Sequence, residues 1–487
     1  MIQFLSLDVL AVLPELLILI LAGFVLLFDA IWPEERRRNL GWLTFGGLVL
    51  TMVISMLVGV PQASRSSVLG GMVSYDWMAF AMKMVFIFGA AITALLAMDA
   101  PKLGTRGEFY ILMLVSTIGM NFMASADDLI MLYLAIETTS IPLYILAGFF
   151  RRDQKSVESG FKYLMFGAMT SAVMLYGFSL LFGLTGTTNL AMLYYAISSN
   201  SAPLLAVAFS LMLILVGFGF KISVVPFHFW APDVYDGAPT PIAGFLSTAS
   251  KAAGFTVLLR VLLYVFTTAE LVPVWSTILA AISVLTMTVG NILALSQKNI
   301  KRLLAYSSIA HAGYILIGVV AVSSLGIVSV IFYLVAYLLT NLAAFGIVVA
   351  FSHTVKSDEI KDYAGLSRRA PTLALMMLVA FLSLSGMPPF GGFVAKVFVF
   401  AAAVQANYIW LAVVGVLNSI IGLYYYLNVL KYVYLYRSPE EVEKAPLPLT
   451  RPYVIALSIL TLGIIAIGTF FSPWFNWATT AAYSMFY

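Results

Sequence analysis

Apolar blocks of about 20 residues recur from one end of this chain to the other, and they constrain its fold more tightly than any other feature. Each is long enough to cross a hydrocarbon core about 30 Å thick at about 1.5 Å per residue. The pattern predicts about fourteen spans, at 10–31, 40–60, 77–98, 109–126, 127–150, 158–185, 203–230, 240–266, 272–295, 302–323, 326–352, 371–402, 406–436 and 451–475. In lipid, backbone groups must be satisfied within the segment, so runs of this length are helices. The fold class is therefore all-α integral membrane protein. The longest polar connections run about 15 to 20 residues, which leaves no room for a soluble domain. Composition agrees: 62% of the 487 residues are hydrophobic and only 10% charged, against about 25% charged in a soluble chain. The first block has no basic leader and no small-residue cleavage site, so it reads as a retained span.

Several function classes drop out. With no cysteine, thiolate-held zinc and cysteine-ligated iron–sulfur clusters are excluded. The three histidines, His228, His311 and His353, are scattered and have no carboxylates clustered around them, so no metal site is expected. There is no nucleotide motif or redox ligand, hence no redox catalytic residue and no cofactor site. Nothing points to nucleic acid.

The basic residues report orientation. Of the 26 Lys and Arg, most fall in alternate loops: Arg36, Arg37, Arg38; Lys102, Arg106; Arg151, Arg152, Lys155; Lys298, Lys301, Arg302; Lys356, Lys361, Arg368, Arg369; and Arg437, Lys444, Arg451. The intervening loops hold Arg65 alone. The positive-inside rule puts the basic loops in the cytoplasm or its equivalent, with both termini on the periplasmic or outer side of an energy-transducing membrane.

Ionisable residues that remain inside the spans need a reason, because each costs about 2.5–3.5 kcal/mol on insertion scales. Lys83, Arg260, Lys431 and Asp29 lie near span ends, where a long side chain reaches the interface by snorkelling. Glu15 is ambiguous. Glu137, Lys162, Lys221, Lys251 and Lys396 lie deeper. Glu137 sits near the middle of "DDLIMLYLAIETTSIPLYILAGFF", and Lys251 stands among small residues in "TPIAGFLSTASKAAGFTVLLRVLL". The bland reading of these five is a static ion pair that fixes packing. The sharper one is a proton relay, since a buried lysine gives up its proton far more readily than an exposed one and a nearby carboxylate reverses the effect. Glu137 is then the natural modulator of Lys221 or Lys162.

Two spans are interrupted beside a lysine. In "GFGFKISVVPFHFW" Pro226 follows Lys221, predicting a kink within one helix over 203–230, with His228 a secondary relay candidate at its cytoplasmic end. In "LSLSGMPPFGGFVAKVFVF" Pro388 and Pro389 precede Lys396. Irregular backbone at membrane depth is tolerated where it is buried or lines a wet cavity. These are the seventh and twelfth spans, five apart, and the fifth and tenth also match in kind, with Glu137 in one and His311 in the other. A five-helix unit that recurs must be inverted the second time, and broken helices in corresponding positions mark an ion pathway. We divide the chain into an N-terminal three-helix segment (1–104), two five-helix repeats (105–270 and 271–436) and a C-terminal helix (437–487).

"FHFWAPDVYDGAPTPIAGFLSTASKAAGF" (227–255), "QKNIKRLLAYSSIAHAGY" (297–314) and "SLSGMPPFGGFVAKVFVF" (383–400) resemble the proton-translocating antiporter-like subunits of respiratory complex I. Subunit N, or subunit 2, of NADH–quinone oxidoreductase is the most similar. The likeness runs from about 105 to 430. "PDVYDGAPTP" is more similar to subunit N than to subunits L and M or to sodium/proton antiporter subunits. The lysine at 396 also fits N, and no long amphipathic helix follows the last span as in L. The resemblance implies fourteen helices in two inverted five-helix repeats and a polar axis along the membrane centre. It assigns the relay to Glu137, Lys162, Lys221, Lys251 and Lys396, with His311 linking the two half-channels. It also implies that this chain carries no cofactor, while NADH, flavin, iron–sulfur clusters and quinone are handled elsewhere in a multi-subunit complex. Moving a charge against 100 mV costs about 2.3 kcal/mol, so an external driver is required. Two rivals remain: a subunit of a cation/proton antiporter, and a structural membrane subunit whose charges only hold helices together.

Overall fold

Thirteen helices among the described residues are long and apolar enough to cross a membrane, and the short pair Pro371–Ser385 and Gly391–Gln405 together make a fourteenth crossing. The computed structural model describes residues 6–61, 65–100, 102–199, 202–439, 447 and 449–484; Lys444 lies outside them. In chain order the first six spans are Leu13–Ile31, Asn39–Val58, Trp77–Met98, Gly107–Ser125, Leu129–Ala147 and Gln154–Thr185. The seventh is Leu204–Ile222, followed by the short helix Trp230–Gly237. Then come Thr240–Val265, Leu271–Leu295, Ile300–Val320 and Ser324–Val355, the broken twelfth, Ile409–Tyr434 and Arg451–Thr469. The last predicted span divides, because a separate helix, Phe471–Tyr483, begins after Phe470.

Burial separates the inner spans from the outer ones. The most apolar window of the eighth is 100% buried, and those of the third, tenth and eleventh 94%. The first, second, sixth and thirteenth are only 28–39% buried and keep large apolar side chains outside, as lipid contact allows. Close approach uses small residues: a Cβ on Gly290 of the ninth span would stand 2.6 Å from the Ala310 nitrogen of the tenth.

The fifth and tenth spans begin alike. Asp128 caps the fifth by accepting from the Ile130 and Met131 amides, and Asn299 caps the tenth through the amides of Lys301 and Arg302. Each cap pairs with the strand-like segment that follows the next span. Asp128 bridges Asn189, with Leu129 N to Thr188 O and Leu190 N to Asp127 O; Asn299 bridges Glu359, with Ile300 N to Asp358 O and Ile360 N to Lys298 O. The sixth and eleventh spans both have 32 residues, and the eighth and thirteenth both have 26. Counting from the matched caps puts Ser308 opposite Glu137 and His311 opposite Ser140. Glu137 and His311, which match in kind, thus stand three residues out of register, just under one helical turn.

Two further expectations change. Lys83 and Arg260 do not snorkel. Each is 3% exposed; Lys83 Nζ lies 2.7 Å from Glu15 Oε1, and Arg260 donates to both oxygens of Asp76 at 2.9 and 3.0 Å. Neighbours on other spans supply the partners, which no single-segment reading reveals. Lys431 is exposed near its span end, over the Tyr436 ring, as snorkelling predicts.

Candidate functional site

The seventh span stops rather than kinks. Ser223 takes a left-handed conformation (φ 61°), Ser223 N bonds to Phe220 O, and Val224 N reaches back to Gly219 O at 3.0 Å. That 6→1 bond marks a Schellman cap, which satisfies carbonyls the helix leaves free at its C-terminus. Trp230 Nε1 closes the Phe220 carbonyl at 3.2 Å, and the Val225 amide donates to Thr286 Oγ1 at 3.1 Å. The next helix starts at Trp230, so Pro226 lies in the connection and not inside a helix. Lys221, 6% exposed, is the next-to-last residue of the helix and donates to Ser140 Oγ of the fifth span at 2.9 Å.

The twelfth span breaks in the same way. Gly386 is left-handed (φ 87°), and Met387 N reaches Leu382 O at 2.9 Å. Pro388 and Pro389 fill the connection, and the helix resumes at Gly391. Lys221 stands two residues before its cap and Lys396 ten after, so the lysines are out of register. The side chain of Lys396 compensates. Its Nζ turns back across the break to Leu384 O at 3.2 Å and Ser385 O at 3.0 Å. Leu384 holds the place in its half-helix that Lys221 holds in the other. Both lysines thus sit at the carbonyl end of a half-helix, the negative end of its dipole. Gly386 makes room, since a Cβ there would lie 2.9 Å from Lys396 Cδ.

Lys251, 1% exposed, follows a π-helical turn at Leu246–Ser250 and donates to Ser308 O at 2.7 Å and Ser308 Oγ at 2.5 Å. Such π-turns inside helices recur at functional sites. Ser308, His311 and Tyr314 follow at helical spacing along one face of the tenth span. His311, 3% exposed, has Nδ1 2.8 Å from the Tyr333 hydroxyl and Nε2 3.2 Å from that of Tyr426. Tyr426 donates onward to Ser307 Oγ at 2.7 Å, so its own oxygen is free to accept from Nε2–H while Nδ1 accepts from Tyr333. Lys396 Nζ stands 4.9 Å from the centre of the Tyr314 ring. One helix face of about 9 Å therefore joins Lys251 to Lys396. Beside it, His311, Tyr333, Tyr337, Thr340 and Ser383 help line a cavity of about 10 Å³, close to the room one water centre needs.

The remaining predicted residues lie elsewhere. Glu137 is half-buried and accepts from Ser171 Oγ of the sixth span; among the described residues it makes no ion pair. Lys162 is not among the buried lysines. Its side chain is 35% exposed and pairs at 2.6 Å with both Glu158 and Asp233. Asp233 also accepts from Arg302 Nη1 at 2.8 Å, joining the sixth span, the helix after the break and the tenth span. Partial burial opposes ionisation of Asp233, but its hydrogen bonds to Lys162 and Arg302 hold it below the usual carboxylate range. His228 is 4% exposed and its Nδ1 has no partner among the described residues.

Sequence reasoning missed Ser140, Ser308, Tyr426 and Asp233. The last was visible as the acid of the "PDVYDG" motif, and the two serines as polar residues within one turn of Glu137 and His311. Tyr426 is one of three consecutive tyrosines, and only the tertiary structure selects it.

Carboxylates divide the buried cations into two kinds. Lys83–Glu15 and Arg260–Asp76 are ion pairs, as is the partly buried Arg65 with Asp127. Among the described residues Lys221, Lys251 and Lys396 have none, only hydroxyl and carbonyl partners. A static pair thus describes Lys162 and does not describe the three interior lysines.

Two broken helices and a line of buried lysines, hydroxyls and a histidine define the antiporter-like class of membrane subunit, and residues 126–422 match the family model "NADH:quinone oxidoreductase/Mrp antiporter, TM". A chain of the Mrp complex from a Dietzia species shares the fold, with a TM-score of 0.84 over 97% of both chains at 22% identity. A chain of respiratory complex I from Thermus thermophilus, solved with bound aureothin, is 32% identical at a TM-score of 0.78, covering 95% of this chain and 98% of that one. The NADH-quinone oxidoreductase subunit N of Moorella thermoacetica is 42% identical over 456 residues, 93% of this chain and 94% of its own. The chain belongs to the NADH-quinone oxidoreductase subunit N family.

Proposed function

We propose that this chain is a proton-translocating membrane subunit of a complex I-type NADH–quinone oxidoreductase, moving protons through a line of buried lysines while quinone is reduced elsewhere in the assembly. Protons enter from the cytoplasm near Lys221 and Lys251, pass along the tenth span by way of His311, and leave past Lys396. The observation that carries this reading is the partnering of the three interior lysines: 1–6% exposed, and without a carboxylate to hold their charge in place. A lysine bound only to hydroxyls and carbonyls changes protonation state without leaving a buried acid unpaired. Glu137 sets the proton affinity of Lys221 from the neighbouring helix. Between Lys221 and Lys251 the buried Tyr235 hydroxyl lies beside Ser223 and Ser308, the serine that holds Lys251, and these hydroxyls continue the line.

The matched caps, matched span lengths and matched Schellman breaks support two inverted repeats at 105–270 and 271–436, between the three-helix segment 1–104 and the C-terminal segment 437–487. The basic loops support an orientation with both termini outside. Lys162 belongs to the cytoplasmic mouth, where it and Arg302 hold separate oxygens of Asp233, and His228 Nδ1 has no partner among the described residues.

Replacing Glu137, Lys221 or Lys396 by alanine tests the relay. Proton pumping should fall while the complex still assembles. If pumping and assembly both survive all three changes, the residues are structural and the relay is wrong. Sodium dependence of the coupled activity favours the cation antiporter reading instead.

A further inference from the structure

Outside the relay, a cleft lies where the loop between the third and fourth spans faces the loop between the fifth and sixth. It encloses about 1040 Å³, rimmed by Lys102, Arg106, Arg151 and Arg152 with Glu108 and Asp153 between them. Four cations thus face two carboxylates. Asp153 is engaged in capping the Lys155 amide, and none of the four cations forms an ion pair among the described residues. Arg106 also stands at the N-terminus of the fourth span, which has no side-chain cap and presents the positive end of its dipole there.

The floor of the cleft differs in kind. Leu112, Ile145, Phe149 and Phe150 line it, and the outward face of the fifth span continues it toward the membrane core with Ile145 and Ile141, 51% and 52% exposed. A cationic rim at loop level above an apolar channel that runs down into the hydrocarbon layer has the polarity profile of one phospholipid molecule. An acidic protein segment would match the rim and leave the channel facing nothing.

We propose that this cleft binds an anionic phospholipid of the leaflet on the basic-loop side. Lys102, Arg106, Arg151 and Arg152 hold its phosphate, and an acyl chain lies along Leu112 and Ile145. Guanidinium groups suit this role, since they pair with phosphate oxygens in a bidentate manner. The inference does not rest on the proton relay.

The test uses the intact multi-subunit complex, exchanged into detergent with either phosphatidylglycerol or phosphatidylcholine of the same acyl chains. Native mass spectrometry should count one more retained phosphatidylglycerol in the wild type than in the R106Q/R151Q variant, with no such difference for phosphatidylcholine. An unchanged count, or equal retention of phosphatidylcholine, overturns the proposal. Should the double variant assemble poorly, a photoreactive benzoylphenylalanine at Ile145 in an otherwise unchanged complex decides the matter. Cross-linking to phosphatidylglycerol supports the site, and cross-linking to a neighbouring subunit refutes it.

Discussion

Replacing Gly386 by alanine isolates the placement of the Lys396 ammonium from the stability of the break that holds it. Two effects add at this position. A non-glycine residue at φ 87° costs about 1–2 kcal/mol of backbone energy. The new Cβ would also stand 2.9 Å from Lys396 Cδ and 3.3 Å from Nζ, so the side chain must move off Leu384 O and Ser385 O. A hydrogen bond to a charged group is worth about 1.5–3 kcal/mol, which amounts to about a ten- to hundredfold loss in the population with the ammonium in place. Gly186 provides the control, because it is left-handed as well (φ 72°) and a Cβ there meets nothing within 4 Å. In inverted membrane vesicles, the G386A and G186A complexes should assemble to similar extents. Coupled quinone reduction and the proton gradient, followed with a pH-sensitive dye, should fall at least about tenfold in G386A and little in G186A. Equal loss in the two variants would show that backbone strain alone matters and that the ammonium position does not.

Ser308→Ala leaves the backbone carbonyl as the remaining acceptor for Lys251, so coupled turnover should drop by about tenfold, whereas Lys251→Met should abolish it; both are read in the same vesicles. Asp233 is held below its ordinary value of 3.8, so its clamp contributes fully at neutral pH and is lost as pH falls below about 4. Asp233→Asn mimics the protonated state: at pH 7 it should weaken the clamp by about 0.2–1 kcal/mol per exposed pair, and its thermal midpoint should change less than that of the wild type below pH 4. For the buried pair, Asp76→Asn or Arg260→Met alone should cost about 3–5 kcal/mol and the double replacement much less, as judged by assembled complex on native gels.

Span number, the two breaks and the interior lysines were legible because each depends on a local signal: apolar length, proline and glycine, or a charge in an apolar run. Partnerships were not legible. Whether Lys83 snorkels or pairs is decided by Glu15, 68 positions earlier in the chain, and Arg260 by Asp76 in another span. Lys162 was placed too deep because the sixth span begins at Gln154, and its first turns stand among the loop charges at the membrane boundary. The kink expected at Pro226 became a full stop. The Val225 amide bonds to Thr286 and Trp230 closes the Phe220 carbonyl, so the helix does not need to continue across residues 223–229.

The disagreement in register between the two lysines bears most directly on how the site works. Aligned on their left-handed caps, Lys396 falls opposite Asp233 and Lys221 opposite Leu384, so the two halves do not repeat their ionisable residues in sequence. They repeat a location: the carbonyl end of a half-helix, stopped by a Schellman cap and bordered by a neighbouring span. Lys221 reaches it from inside its own helix, and Lys396 by folding back across the break. The carbonyl dipoles there favour an added positive charge without the fixed countercharge that a carboxylate would provide. In the proposed relay, a proton held by dipoles and hydroxyls would be released when the half-helix end shifts, since no buried anion would remain unpaired afterwards. It follows that introducing a carboxylate beside either lysine, as in Ser140→Asp next to Lys221, should trap the proton and stop turnover while leaving assembly intact. If turnover survives that change, the absence of a partner acid is incidental and a static role for the lysines returns.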